Sequence, residues 1–255
     1  MQEQATGYVK SDKHGFAMVI EFYHPQSNSL PSALLNELST QIHGAGLDDE
    51  IKVVTLRSVG EKAFCAGAYF AELSKINSSS QGEDFFNGFV RVINSMRKCP
   101  KFILARIQGK CVGGGVGIAA AADYAIALSG ADIKLSELEI GIGPFVVGPV
   151  VHRKLGLSAF SQLAIDATSW RTAEWAKTRG LYSEVHSSIE DMDESLQRLA
   201  NHLSHSSSQA IREIKKMLWQ DTSHWDQLLA ERAKISGSLI ITPMAQRAIA
   251  LFNKA

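Results

Sequence analysis

Short apolar segments alternate with segments of helical periodicity over the first ~190 residues of the chain. Four of the apolar segments predict strands: Gly15–Phe22, Ile51–Leu56, Phe102–Ile107 and Asp123–Leu128. Between them, residues 31–43 place apolar side chains at helical spacing, and residues 84–98 predict a long helix that Pro100 ends. Strands that alternate with helices favour a mainly parallel sheet covered by helices, and therefore an α/β fold.

The pattern changes after Ile189, where helical periodicity continues without strand-like segments. Four helices are predicted there, near Ile189–Ser204, Gln209–Trp219, His224–Ser236 and Pro243–Asn253. We therefore divide the chain into an α/β core at residues 1–188 and a helical C-terminal region at residues 189–255. The Ser-rich stretch Asn77–Ser80 predicts a loop tip.

Charge and composition narrow the classes of function. With 26 basic and 26 acidic residues, the chain lacks the basic excess that nucleic-acid binding requires. Three cysteines without a CxxC spacing indicate a reducing compartment. The pair His202 and His205 lacks a third metal ligand at a sensible spacing, which argues against a metal site. The N-terminal residues have no apolar signal core, and no stretch reaches the ~20 apolar residues of a membrane span. We expect a cytoplasmic protein with no nucleic-acid, membrane or metal partner.

Two glycine-containing segments follow predicted strands and carry the candidate chemistry. They are residues 62–68 (KAFCAGA) and residues 111–117 (CVGGGVG), the latter before an alanine-rich helix. Glycine lets the backbone approach a ligand closely, and the first N–H groups of a helix suit a developing anion. The second segment lacks the spacing of a dinucleotide fingerprint and the Lys-Ser/Thr pair of a P-loop. Taken singly, such turns also serve tight packing.

Together with two further segments, these glycine turns resemble the signatures of the crotonase (enoyl-CoA hydratase/isomerase) family. HPQSNSLPSALLNEL precedes KAFCAGA, and ARIQGKCVGGGVGIAAAADYAIA and IKLSELEIGIGP follow it in the family's order, between residues 15 and 180. The resemblance implies an α/β fold, the crotonase-like spiral of ββα repeats with a helical C-terminal region. It also implies a homotrimer or a dimer of trimers, with the C-terminal helices at the subunit contact.

The resemblance further implies an acyl-CoA thioester substrate whose oxygen lies in an oxyanion hole. In the family two backbone N–H groups form that hole, and on this chain they belong to Ala68 and Gly114. Five residues are expected to contact coenzyme A: Ala66, Gly67, Tyr69, Gly113 and Lys254. The backbone around Ala66 is expected to meet the adenine, and Lys254 resembles a C-terminal lysine that reaches coenzyme A, often from a neighbouring subunit. No separate cofactor is implied, because coenzyme A is part of the substrate.

The glutamates set the expected reaction. Hydratases of the family orient a water with two glutamates, and here the first position is Gly117 whereas the second matches Glu137. Glu139 is expected to be a solvated structural carboxylate. Tyr69 replaces the acidic residue that the family usually has after the oxyanion-hole alanine, here Ala68. Moving a C=C bond needs a single base, whereas two groups ordinarily share the work of adding water. We therefore expect an enoyl-CoA isomerase with Glu137 as its acid/base; the LSELEIGIGPF stretch also resembles mitochondrial-type Δ3,Δ2-enoyl-CoA isomerases.

Two alternatives remain open at this point. One is an enoyl-CoA hydratase (a lyase), or another enolate chemistry such as decarboxylation or thioester cleavage, with a substitute proton donor such as Tyr69. The other is a non-catalytic acyl-CoA-binding protein.

Overall fold

The structure, a computed structural model, describes residues 7–252. The strands of this part are β1 (Tyr8–His14), β2 (Ala17–Tyr23), β3 (Val53–Ser58), β4 (Ala63–Cys65), β5 (Phe102–Ile107), β6 (Lys110–Val112), β7 (Tyr124–Leu128), β8 (Ile133–Lys134) and β9 (Glu184–His186). The helices are α1 (Ser32–Leu47), α2 (Phe70–Leu73), α3 (Ser79–Lys98), α4 (Gly114–Ala121), α5 (Gly148–Ile165), α6 (Ala173–Thr178), α7 (Ile189–Ser204), α8 (Ser208–Leu218), α9 (Trp225–Ile240) and α10 (Pro243–Phe252).

The strands form two sheets. The larger sheet has the strand order β1-β2-β3-β5-β7-β9, and the smaller sheet has the order β4-β6-β8. The β1–β2 hairpin is antiparallel, and the other neighbouring strands of both sheets are parallel. This arrangement agrees with the mainly parallel, helix-covered sheet predicted from the alternating pattern. The small sheet matters for the site, because β4 and β6 lead directly into the two glycine segments.

Adjacent residues of β3 point to opposite faces of the large sheet, and each face is covered by helices. Val54 belongs to the main hydrophobic core, together with Leu35 of α1 and Val92 of α3. Val53 packs on the other face in a smaller cluster that includes Met192 of α7. Burial on both faces explains why this strand reads as a continuous apolar run.

The C-terminal helices pack closely on the core. A Cβ atom placed on Gly82 of α3 would lie 2.8 Å from the Cα atom of Gly237 in α9. The absence of side chains at both positions lets the two helix backbones approach each other. This contact brings the middle of α9 to the cavity described below.

A buried polar cluster around Asp123 connects the C-terminal part of α8 with strand β5 of the large sheet. The Asp123 carboxylate accepts hydrogen bonds from the Ile103 amide (2.8 Å), the Lys215 ammonium group (2.5 Å) and the Trp219 indole (3.1 Å). The side chains of Asp123 and Lys215 are only 5% and 3% exposed. A buried charge pair of this kind is sensitive to the loss of either partner.

Two predicted elements match the structure closely, and one prediction was wrong. Strand β5 and helix α7 have the predicted bounds, Phe102–Ile107 and Ile189–Ser204. The stretch Asn77–Ser80 was predicted as a loop tip, but Ser79 already begins α3. The reason is local, since the Ser78 hydroxyl accepts a hydrogen bond from the Gln81 amide and caps the helix.

In the described range, no helix is both long enough and apolar enough to cross a lipid bilayer. The same residues contain no group of three or more His, Cys, Asp or Glu side chains placed to hold a metal ion.

Candidate active site

The first glycine segment is held in place by the turn that follows β2. The Ala66 amide donates to the Ser27 carbonyl (3.1 Å), and the Leu30 amide donates to the Gly67 carbonyl (2.7 Å). The Tyr69 amide donates in turn to the Leu30 carbonyl (3.3 Å). These backbone bonds run on both sides of Ala68 and fix the course of the chain around it.

The two glycine segments touch each other. Gly67 has φ +83°, and a Cβ atom placed on it would lie 2.8 Å from the Val112 carbonyl oxygen and 3.2 Å from the Gly114 amide nitrogen. Both the left-handed backbone and the close approach require glycine here. The residue before Ala68 therefore lies directly against the amide of Gly114, although the two segments are far apart in the chain.

The amides of Ala68 and Gly114 border one cavity and have no acceptor in the described part of the chain. Both residues line the cavity, and among residues 7–252 neither N–H group donates a hydrogen bond to a protein atom. Gly114 is also the first residue of α4, so its N–H is one of the unpaired donors at the positive end of that helix. Such a pair of donors suits an oxygen atom that gains negative charge.

The Glu137 carboxyl group lies beside the second glycine segment. A Cβ atom placed on Gly113 would lie 2.9 Å from Glu137 Oε1 and 3.3 Å from Glu137 Cδ. The other carboxyl oxygen, Oε2, is buried and has no hydrogen-bond partner among the described residues. Gly113 has φ +50° and ψ −114°, a backbone conformation that favours glycine. Since Gly113 directly precedes Gly114 in the chain, the Glu137 carboxyl group lies close to the residue before the Gly114 amide.

Burial determines the ionisation of this carboxyl group. It raises the pKa of Glu137 from 4.5 to about 7, and a hydrogen bond from the residue's own backbone opposes the shift only in part. The cavity wall around the carboxyl group includes Phe89, Ile140 and Ile142, which provide no compensating charge. A carboxyl group with a pKa near neutrality can both accept and return a proton at physiological pH.

Glu139 has a different environment from Glu137. Its Oε2 lies 2.7 Å from the Lys134 ammonium nitrogen, so this carboxylate forms an ion pair outside the cavity. The contacts therefore distinguish the two glutamates: Glu137 lies against Gly113 in the cavity, and Glu139 pairs with Lys134.

The cavity is narrow and mainly apolar. Its volume is about 50 Å³, and one buried water needs roughly 10–15 Å³ on this scale, so only a few non-hydrogen atoms fit. Its apolar wall comes from Phe70, Leu73, Phe86, Phe89, Ile140, Ile142, Pro144, Phe145, Val146 and Val147. Besides backbone groups and Glu137, its polar lining residues are Ser136 and Ser236, the latter from α9.

The position expected for a second glutamate is occupied by another side chain. A Cβ atom placed on Gly117 would lie 2.4 Å from Val147 Cγ1 and 2.7 Å from Val147 Cβ. Val147 therefore fills the space that a side chain at position 117 would need. The missing glutamate can be recognised from the sequence, whereas the contact with Val147 cannot, because no local motif connects positions 117 and 147.

The other predicted site residues fall into three groups. Ala66, Gly67 and Gly113 line the cavity. Tyr69 is not among the lining residues, and its ring lies edge-on to His24 with the centroids 4.7 Å apart. Lys254 lies outside the described residues.

Comparison with known proteins identifies the family. The sequence model of the family described as "Enoyl-CoA hydratase/isomerase" matches residues 13–246, which is most of the chain. The chain belongs to this family, and the resemblance to crotonases noted in the sequence is confirmed.

Several curated relatives are hydratases by name. The mitochondrial methylglutaconyl-CoA hydratase of Homo sapiens is 33% identical over 159 residues, covering 62% of this chain and 46% of that protein. The short-chain-enoyl-CoA hydratase of Clostridium acetobutylicum is 29% identical over 209 residues, covering 81% and 79%. The chain thus spans about half the length of the human and rodent relatives that it matches (46% and 50%).

The fold is shared with solved structures. A crystal structure of enoyl-CoA hydratase from Bacillus halodurans superposes with a TM-score of 0.88 at 21% identity, covering 96% of this chain and 99% of that one. This similarity confirms the predicted α/β crotonase fold with its helical C-terminal region.

Proposed function

We propose that this protein is an enoyl-CoA isomerase that moves a C=C bond with Glu137 as its single acid/base. One observation carries the proposal. A buried carboxyl group with an unpaired oxygen lies beside Gly113 and the free Gly114 amide, while Val147 fills the place of a second catalytic glutamate. The cavity thus offers one proton-transferring carboxyl group beside an anion-binding pair of amides.

The proposed reaction has two proton transfers. The thioester oxygen of a 3-enoyl-CoA accepts hydrogen bonds from the Ala68 and Gly114 amides, and the Glu137 carboxylate removes a proton from C2. The electron pair of the C2–H bond forms a C1=C2 bond as the carbonyl becomes a dienolate oxygen. When the oxyanion collapses, the C1=C2 pair becomes the C2=C3 bond, and the C3=C4 pair takes the proton from Glu137 to form the new C4–H bond. The two amides stabilise the negative charge between these steps, and loss of one such donor typically costs about 2.7–4 kcal/mol.

The isomerase assay tests the proposal. Purified protein should convert 3-enoyl-CoA to 2-enoyl-CoA, and Glu137→Gln should lower kcat/KM by roughly 10²–10⁴-fold, the usual contribution of a general acid/base. Glu139→Gln is the matched control, since that carboxylate is paired with Lys134 and should be dispensable. If Glu137→Gln retained wild-type activity, the assignment would be wrong.

A hydratase is the second candidate function, and the names of the two relatives favour it. Hydration would require a group that replaces the second glutamate, and Tyr69, the substitute considered from the sequence, lies against His24. Steady hydration of crotonyl-CoA well above background would support this alternative. Tight binding of CoA thioesters without turnover of any enoyl substrate would instead support a non-catalytic acyl-CoA-binding protein.

The assembly and the location of the protein remain proposals. We expect a homotrimer or a dimer of trimers in the cytoplasm, in keeping with the family resemblance. Light scattering that shows only a monomer would contradict the first part.

A further inference from the structure

Helix α9 presents two polar side chains that have no partner among residues 7–252. Ser236 is 1% exposed and lines the cavity, and Arg232 lies four residues earlier, so both occupy the same face of the helix. In the part of the chain that the structure covers, neither the Ser236 hydroxyl nor the Arg232 guanidinium group forms a hydrogen bond or an ion pair with the protein.

Arg232 lines a larger groove that adjoins the cavity. The groove has a volume of about 810 Å³ and lies between α5, α9 and the residues before α9. Pro144 and Phe145 belong to the walls of both the groove and the cavity. The groove and the cavity are therefore neighbours, and α9 contributes a side chain to each of them.

The groove combines an apolar floor with an excess of basic side chains. Phe160, Trp225 and Leu228 supply apolar surface, and the basic lining residues are His152, Arg153, His224 and Arg232. The carboxylate in the lining, Asp221, is not within ion-pair distance of any of these among the described residues.

The two arginines of the groove differ in their availability. The Arg153 guanidinium group donates to the Leu218 carbonyl and lies 5.5 Å from the centre of the Trp219 ring. Arg232 has no comparable partner within residues 7–252 and is only partly exposed. A partly desolvated guanidinium group without a counter-ion is unfavourable, and a carboxylate that binds both of its N–H edges is its best complement.

We propose that the groove binds the distal end of the acyl group and that this end carries a carboxylate. The substrate class is then the CoA thioester of a short unsaturated dicarboxylic acid, with Arg232 as the carboxylate-binding residue and Ser236 as a hydrogen-bond donor on the way to it. This inference rests on the proposed function, because it assumes that the thioester lies at Ala68 and Gly114. The small volume of the cavity supports it, since an acyl group longer than a few atoms must extend elsewhere.

Paired substrates test the proposal. Wild-type protein should turn over 3-hexenedioyl-CoA with a kcat/KM at least roughly 10-fold above that for 3-hexenoyl-CoA, as a charge-assisted contact of ordinary strength provides. Arg232→Gln should remove this preference, and Arg232→Lys should restore part of it. Arg212→Gln, at an exposed position of α8, is the matched control and should change neither rate.

A binding experiment separates this inference from the proposed reaction. Titration calorimetry should show that adipoyl-CoA, which has no double bond to move, binds wild-type protein more tightly than hexanoyl-CoA and loses that advantage in Arg232→Gln. Equal affinities for the two thioesters would overturn the inference while leaving the isomerase proposal intact. A change of oligomeric mass in Arg232→Gln would also overturn it, because the groove would then be a contact between subunits.

Discussion

Replacing Glu137 with glutamine should lower kcat/KM by roughly 10²–10⁴-fold and at the same time stabilise the folded protein at neutral and alkaline pH. The carboxyl group is buried against Gly113 with one oxygen unpaired, and its negative charge is therefore unfavourable in the folded state. Glutamine keeps the shape of the side chain and removes the charge. Burial therefore raises the pKa of the carboxyl group, which suits it as a base, and also lowers the stability of the folded protein when the group is ionised.

The size of the effect follows from the pKa. Folding raises the pKa of Glu137 from 4.5 to about 7, and each pKa unit corresponds to about 1.4 kcal/mol, so the ionised form destabilises the fold by about 3 kcal/mol. Because the folded-state pKa is the higher one, stability is fully present below pH 4.5 and falls as the pH rises towards about 7. The variant has no such loss, so its advantage should grow over this window and then stay constant.

Urea unfolding at pH 4, 6 and 8, at one fixed protein concentration, measures this difference in the free energy of unfolding. In parallel, kcat/KM of the wild-type isomerase should rise about tenfold per pH unit below a midpoint of about 7. Glu139→Gln removes a carboxylate that is paired with Lys134, and it should not show the stability gain of Glu137→Gln. A pH-independent difference between Glu137→Gln and wild type would refute the burial argument.

Three further experiments have distinct expected outcomes. Gly117→Glu alone should destabilise the fold by about 1–3 kcal/mol through overpacking against Val147. The double variant Gly117→Glu with Val147→Gly should fold better and gain hydration of crotonyl-CoA. No gain would show that a missing glutamate is not what limits hydration. Gly67→Ala should lower isomerase activity by at least roughly 10²-fold, comparable to loss of an oxyanion donor, because its φ of +83° and the contact with Val112 forbid a side chain; an active variant would contradict this. Lys215→Met should cost about 3–5 kcal/mol in urea unfolding by leaving Asp123 charged and unpaired, and a loss below about 1 kcal/mol would mean that the pair is solvated.

The longer parallel strands could be predicted from their continuous apolar runs, and the C-terminal helices from apolar patterns long enough to have a period. Strand β1 could not, since five of its seven residues are exposed and only its pairing with β2 supports it. Strands β4, β6 and β8 have three residues or fewer, too short for any periodicity. They nevertheless build the small sheet that aligns the two glycine segments.

In the candidate site, too, residues in short sequence motifs could be predicted, and residues brought there by tertiary packing could not. Ala68, Gly114 and Glu137 could be proposed because each lies in a short motif. Val147 and Ser236 lie in no such motif, and only tertiary packing brings them to the cavity. For Ser236 that packing depends on the close contact of Gly82 with Gly237, which a pattern of hydrophobic residues does not indicate.

The crystal structure of the Glu137→Gln variant with a bound 3-enoyl-CoA is the most direct test of the proposed chemistry. The thioester oxygen should lie about 2.7–3.1 Å from both the Ala68 and the Gly114 amide nitrogens, and the glutamine side chain should lie within hydrogen-bond reach, about 3 Å, of C2. A thioester oxygen that contacts neither amide, or a residue 137 that faces away from C2, would contradict the account.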